Sequence, residues 1–193
     1  MDKFEVISNA EQQFAREVTL GVLYLRPLSA WHYLIPGMFI FDFLRRSRAI
    51  RKYTETFMFP RTLALQAARD LPADKTRTMA NPQLESEIKN WLAALQLDSP
   101  DLVRAQKKTV DLLTDHYARL LQVQGESYYD LIQNAYSSRE AFEAHLRDIT
   151  AAENEVDRAI LTRVGDHPAV KDKLELEARQ VESRRQKILE DIF

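Results

Sequence analysis

Apolar residues recur every three to four positions along most of the chain, which is the spacing of one face of an α-helix. One such stripe consists of Leu84, Ile88, Trp91, Leu92 and Leu95. A longer one consists of Val103, Val110, Leu113, Tyr117, Leu120 and Leu121. The 193 residues include only four glycines, so few positions would interrupt such helices. The pattern predicts an all-α protein.

Helix start signals stand where the stripes begin. Asn81 and Ser99 each precede a proline. This pair suits a helix start, because the cap accepts a free backbone N–H and proline has none to satisfy. Ser127 and Ser137 are each followed three positions later by an acidic residue, which is the spacing of a capping box. We therefore predict helix starts at all four places.

The last third of the chain, residues 138–193, predicts a long helical hairpin. Its first half carries Phe142, Leu146, Ile149, Val156 and Ile160 in heptad-like order. Its second half continues with Val170, Leu174, Ala178, Val181, Ile188 and Ile192. The connection VGDHPAV at 164–170 is short, so the two helices must be antiparallel, with Pro168 starting the second.

The predicted fold is a helical bundle of about seven to eight helices with this long C-terminal antiparallel hairpin. Residues 70–81, DLPADKTRTMAN, read as the least regular segment between helices. We expect an N-terminal hydrophobic helical unit with a basic helix at 1–71 and a helical bundle at 82–193. One continuous domain is the alternative.

Residues 28–53, LSAWHYLIPGMFIFDFLRRSRAIRKY, are the least ordinary part of the chain. The stretch 31–44 contains no lysine or arginine, and His32 and Asp42 interrupt its apolar character. Basic residues then crowd together as Arg45, Arg46, Arg48, Arg51 and Lys52.

Prolines divide this region into helices. Pro36-Gly37 ends the first apolar run, so we expect a helix from Met38 to about Phe59 and a new helix from Pro60. At 100° per residue, one face of the first helix holds Phe39, Phe43, Ile50, Tyr53 and Phe57, opposite most of the basic residues.

Two interpretations of this region stay open. In a soluble bundle other helices surround the apolar part, whereas at a membrane acyl chains do, with the arginines against anionic lipid. The apolar stripe continues through the basic part, which favours packing on protein, and we prefer the core interpretation. The residues expected to contact a membrane or a partner are Trp31, Tyr33, Met38, Phe39, Phe41, Leu44, Arg45, Arg48, Arg51 and Lys52.

Charge and composition limit where the protein acts. The net charge is -2, but residues 1–80 carry 12 basic and 8 acidic side chains, so attraction to anionic surfaces should come from that part. The lack of cysteine excludes disulfides and thiolate chemistry and fits a reducing compartment. We see no secretory signal and no apolar run of roughly 18 residues that would span a membrane. We expect a cytoplasmic protein, either free or peripheral at the inner face of the membrane.

Residues that could carry chemistry are sparse. His116 and His145 lack the glutamate three positions earlier that a di-iron bundle needs. His145 and Asp148 share a helix face without a visible third ligand, and we interpret Glu153 and Asp157 as a solvated acidic face. There is no Gly-rich phosphate loop, GxSxG or HExxH. We predict no catalytic residue, cofactor or metal, and no nucleic-acid partner.

The absence of an assembled reaction site favours a non-enzymatic helical interaction protein, an adaptor or scaffold with a protein partner or self-association. The alternative is a binder, carrier or enzyme that takes a hydrophobic or lipid-like small molecule in an apolar pocket. We expect Trp31, Phe39 and Phe43 to line such a pocket.

Overall fold

The structure is a computed structural model that describes residues 2–24, 38–71, 82–165 and 167–193, and for residues 24 and 38–46 it describes the backbone alone. Helices hold 89% of the described residues, and no strand occurs among them. The all-α prediction is therefore confirmed.

Seven helices follow one another along the described chain. They are α1 (Lys3–Tyr24), α2 (Met38–Asp70), α3 (Pro82–Ala94), α4 (Pro100–Gln122), α5 (Tyr128–Ala135), α6 (Arg139–Val164) and α7 (Pro168–Ile192). α3 begins at the predicted proline, whereas its predicted cap, Asn81, lies outside the described residues.

Serine caps start three of these helices. Ser99 caps α4, and Ser127 caps α5 in a capping box with Asp130, both as predicted. The third prediction is wrong by one residue, because Ser138 and not Ser137 caps α6. Both serines have the chemistry of a cap, and the one with extended backbone immediately before the helix takes the role.

α2 continues through Pro60 for another ten residues, which corrects the expectation of a new helix at this proline. Pro60 has no N–H for the carbonyl of Thr56, so one helical hydrogen bond is missing. The guanidinium of Arg61 donates to the next carbonyl, that of Phe57, at 3.2 Å. Pro60 and Arg61 are buried, and packing of α2 on α1 and α4 keeps the helix continuous.

α4 lies at the centre of the bundle, where it packs on both α2 and α6. α4 and α6 run antiparallel. Lys108 of α4 pairs with Glu155 of α6 at 2.7 Å, and Arg163 at the end of α6 donates to the carbonyl of Asp98, just before α4, at 3.4 Å. One apolar core joins residues of all seven helices. Its largest fully buried side chains are Ile7, Ile88, Leu102, Tyr117, Leu120, Leu131, Ile132 and Leu189.

α6 and α7 form the predicted antiparallel hairpin. The ring of Phe142, near the start of α6, lies 6.4 Å from that of Phe193, directly after α7. Gly165 follows α6 with a φ of 81°, a left-handed conformation that favours glycine. Pro168 starts α7 as predicted.

The second half of α2 packs on protein. Tyr53 and Phe57 contact a small apolar cluster formed by Val18 and Val22 of α1 and Val181 of α7. The apolar stripe that the sequence places in this part of α2 is therefore covered by other helices.

Candidate functional site

A large cleft lies between α6 and α7, and α2, α3 and α4 contribute further lining residues. Its volume is about 960 Å³, and its walls are mainly apolar. We call this space the apolar cleft. The apolar residues that line it include Phe57, Pro60, Trp91, Leu92, Leu146, Val156, Ile160, Leu174, Val181 and Leu189.

Four charged side chains form a connected network at the cleft. Arg61 Nε lies 3.2 Å from Glu11 Oε2, and Arg61 Nη2 lies 3.3 Å from Glu153 Oε1. Glu153 also accepts two hydrogen bonds from Arg185, at 2.7 and 2.9 Å. We call Glu11, Arg61, Glu153 and Arg185 the charge network. Its two positive and two negative charges balance.

The pairing in the charge network outweighs the cost of burying its charges. Burial raises the pKa of Glu153, but Arg185 and Arg61 outweigh that effect and hold the pKa below its usual value. Burial lowers the pKa of Arg61, whereas Glu11 and Glu153 raise it, and the net shift is upward. Glu153 and Arg61 are therefore both ionised at neutral pH, each with a partner.

The sequence interpretation missed this network and placed Glu153 on a solvated face, which is wrong: its side chain is 26% exposed and joins two buried arginines. A signal was present, however. Three members of the charge network stand within an apolar helix stripe. Each has one apolar residue four positions before it and another four positions after it. These are Glu11 between Ile7 and Ala15, Arg61 between Phe57 and Leu65, and Arg185 between Val181 and Leu189.

Two further carboxyl groups line the cleft closer to the α6–α7 connection. Burial, followed by the charges of Glu177 and Glu153, raises the pKa of Asp157 to about 7. Burial also raises the pKa of Glu177, which accepts a hydrogen bond from the hydroxyl of Tyr53. Asp157 is half-buried, so its assignment to a solvated face is also wrong.

A smaller cavity of about 360 Å³ also borders the charge network. The rings of His116 and His145 stack there with centroids 4.8 Å apart. His116 Nδ1 lies 2.7 Å from the hydroxyl of Tyr136. The hydroxyl of Tyr128 donates to Glu11 at 3.2 Å, which connects this cavity to the charge network.

Both stacked histidines are neutral at physiological pH. Burial lowers the pKa of His116, and His145 and Arg119 lower it further. Burial, Arg119 and Arg185 lower the pKa of His145 to about 4. Among the residues that the structure describes, no group of three or more His, Asp or Glu side chains is placed to hold a metal ion.

The residues predicted from the sequence to contact a membrane or a partner are not among the described residues that line the apolar cleft. Three of them, Arg48, Arg51 and Lys52, are exposed on α2, and Arg51 lies 3.9 Å from Glu55. Within the described ranges, none of the helices combines the length and apolar character needed to cross a membrane. Contact with a membrane or a partner stays a prediction. Outside the described residues or side chains lie Trp31, Tyr33, Met38, Phe39, Phe41, Leu44 and Arg45.

Comparison with known proteins yields no match to this chain among protein-family models, curated proteins or solved structures. The function of the apolar cleft must therefore be inferred from its own geometry and chemistry.

Proposed function

We propose that the protein is a binder or carrier of an elongated apolar or lipid-like small molecule, which occupies the apolar cleft. The supporting observation is the cleft itself, whose volume of about 960 Å³ lies in the range of roughly 300 to 1,000 Å³ that small-molecule sites have.

The shape of the cleft favours a linear ligand. α6 lines it from Glu143 to Ile160 and α7 from Leu174 to Leu189. Seventeen residue steps along α6 correspond to about 26 Å at 1.5 Å per residue. An apolar chain laid between the two helices would remove their apolar walls from water, at roughly 25 cal/mol per Å².

Binding of an apolar molecule is the alternative function expected from the sequence, but the residues that line the apolar cleft differ from those expected to line the pocket. The pocket expected at Trp31, Phe39 and Phe43 falls on side chains that the structure does not describe. The adaptor function, with a protein partner or self-association, stays a prediction. The proposal assigns no reaction to the cleft.

A series of linear alcohols tests the proposal. Hexanol, octanol and decanol should bind the protein in isothermal titration calorimetry with one site each. Each added methylene should tighten binding by about fourfold, because burying one is worth roughly 0.8 kcal/mol. No measurable binding of decanol, or an affinity that does not change with chain length, would overturn the proposal.

A further inference from the structure

One polar side chain that lines the apolar cleft has no hydrogen-bond partner within the described part of the chain. Gln106 of α4 is only 5% exposed and lines the cleft. Its amide makes no hydrogen bond with any of the residues that the structure describes. Its amide therefore has hydrogen-bonding capacity that a ligand in the cleft can use, and a few such polar groups fix the orientation of a ligand in an apolar site.

Asp157 lies at about the same height of the cleft as Gln106. The Lys108–Glu155 ion pair joins the antiparallel helices α4 and α6 at 2.7 Å. Gln106 stands two residues before the lysine and Asp157 two residues after the glutamate, so both are displaced in the same direction from that pair. The carboxylate of Asp157 likewise has no hydrogen bond or ion pair within the described part of the chain.

Glu177 adds a second acceptor from α7. Its carboxyl group accepts a hydrogen bond from the Tyr53 hydroxyl and lines the cleft with Asp157. The two positive charges nearby belong to the charge network, whose own two carboxylates already balance them. A further cation that acts on Glu177 is Lys173, an exposed residue whose ammonium lies 4.6 Å from the centre of the Tyr53 ring. The end of the cleft at Asp157 and Glu177 therefore has an excess of acceptors and of negative charge.

We propose that the ligand of the apolar cleft is an amphiphilic amine, whose ammonium group binds between Gln106, Asp157 and Glu177 while its apolar chain follows α6 and α7. This inference rests on the proposed binding function and names the chemical class of its ligand. An ammonium has three N–H donors, which match the amide oxygen and the two carboxyl groups. A carboxylate or phosphate in the same place would face two acidic groups and be repelled.

Binding of such an amine should respond to pH near neutrality. Asp157 has its pKa raised to about 7, so it becomes ionised in this range, while an alkyl ammonium with a pKa near that of lysine, about 10.4, stays charged. Affinity for the amine should therefore rise between about pH 6 and about pH 8. The groups that interact electrostatically with Asp157 are Glu177 of α7, Glu153 of α6 and Tyr53 of α2. Arg61 of α2 and Lys173 of α7 act in turn on Glu177, and Arg185 of α7 acts on Glu153.

Calorimetry with three ligands of equal chain length tests the proposal. At about pH 8, decylamine should bind at least about tenfold more tightly than decanol, and decanoate should bind more weakly than decanol. The preference for decylamine over decanol should shrink at about pH 6, where Asp157 is largely protonated.

Substitutions of the acidic residues test where in the cleft the ammonium group binds. Asp157→Asn combined with Glu177→Gln should remove the preference, so that this variant binds decylamine no more tightly than it binds decanol. Each single variant should lose part of the preference. Glu182→Gln is the matched control, because Glu182 also lines the cleft from α7 but is exposed, and it should keep the full preference.

The outcomes separate this inference from the function on which it rests. If decanol binds as proposed but decylamine binds no better, or if the double variant keeps the preference for decylamine, the amine assignment is overturned and the apolar binding function stands. If none of the three ligands binds the wild-type protein, the binding function itself is overturned.

Discussion

Replacing Glu153 with alanine should lower the free energy of unfolding by about 3 to 5 kcal/mol, as removing one partner of a buried ion pair typically does. Its carboxylate is shared by Arg61 and Arg185, whose side chains are only 5% and 7% exposed. In the variant Arg185 would keep its bond to Thr150 at 2.8 Å, and Arg61 would keep its pair with Glu11 and its bond to the carbonyl of Phe57. Urea denaturation followed by circular dichroism measures the loss.

The matched control for this variant is Glu155→Ala. Glu155 lies two residues further along α6 and pairs with Lys108 at 2.7 Å, but the two side chains are 39% and 51% exposed. An exposed pair is screened by solvent and contributes little to stability, so the urea midpoint of this variant should stay close to that of the wild type. Equal small losses for both variants would show that the charge network does not stabilise the fold.

The contribution of Glu153 to the free energy of unfolding should also depend on pH. Its pKa in the folded protein lies below the usual 4.5, so its stabilising effect is fully present above that value. The effect is lost as the pH falls through the lower pKa of the folded protein. The difference in stability between the wild type and Glu153→Ala should therefore shrink in acid.

Blocking the cleft should weaken ligand binding strongly while the protein stays folded. Ala151 on α6 and Ala178 on α7 both line the cleft and are exposed, so phenylalanine at both positions would project into the space from its two walls. If the two rings displace only two methylenes of a bound chain, at roughly 0.8 kcal/mol each, the affinity for decanol falls by more than about tenfold. Calorimetry of Ala151→Phe/Ala178→Phe measures this loss.

Ala93→Phe/Ala94→Phe is the matched control for the blocked cleft. These two alanines are exposed on α3 and do not line the cleft. The control should bind decanol as the wild type does, and both double variants should unfold at urea concentrations close to that of the wild type. A blocked variant that folds normally and keeps the wild-type affinity would place the binding site elsewhere.

Local sequence signals predicted most helix starts but not the course of α2. Ser99 and Ser127 cap helices as expected because a cap depends on residues within one turn. Pro60 would break an isolated helix by the same local rules, yet α2 continues through it because the proline is buried against other helices. Packing between helices, which no local signal contains, decides that outcome.

The charge network could be suspected from the sequence but not assembled from it. An arginine at position 185, between two apolar residues of one stripe, indicates a buried charge. Its partner Glu153 lies 32 residues away on another helix, and periodicity does not specify which faces meet. Five acidic residues of α6 were equally available as partners on the sequence alone: Glu140, Glu143, Asp148, Glu155 and Asp157.

The apolar cleft had no sequence signal at all. The stripes of α6 and α7 that predicted the hairpin include Leu146, Val156 and Ile160 on one helix and Leu174 and Val181 on the other. The same residues line the cleft. An apolar stripe predicts burial against something, but it does not distinguish a facing helix from space for a ligand.

The most direct test of the binding function is contact between a bound chain and Trp91, which lines the cleft and stacks on Phe59 with ring centroids 4.5 Å apart. The chain has two tryptophans, so Trp31→Phe leaves Trp91 as the sole indole fluorophore. Decanols brominated at different carbons should be titrated into this variant, because bromine quenches indole fluorescence at close contact. Ligand binding in the apolar cleft predicts saturable quenching by at least one of them, with the dissociation constant that calorimetry gives for decanol. Binding of all the brominated decanols without any quenching of Trp91 would contradict it.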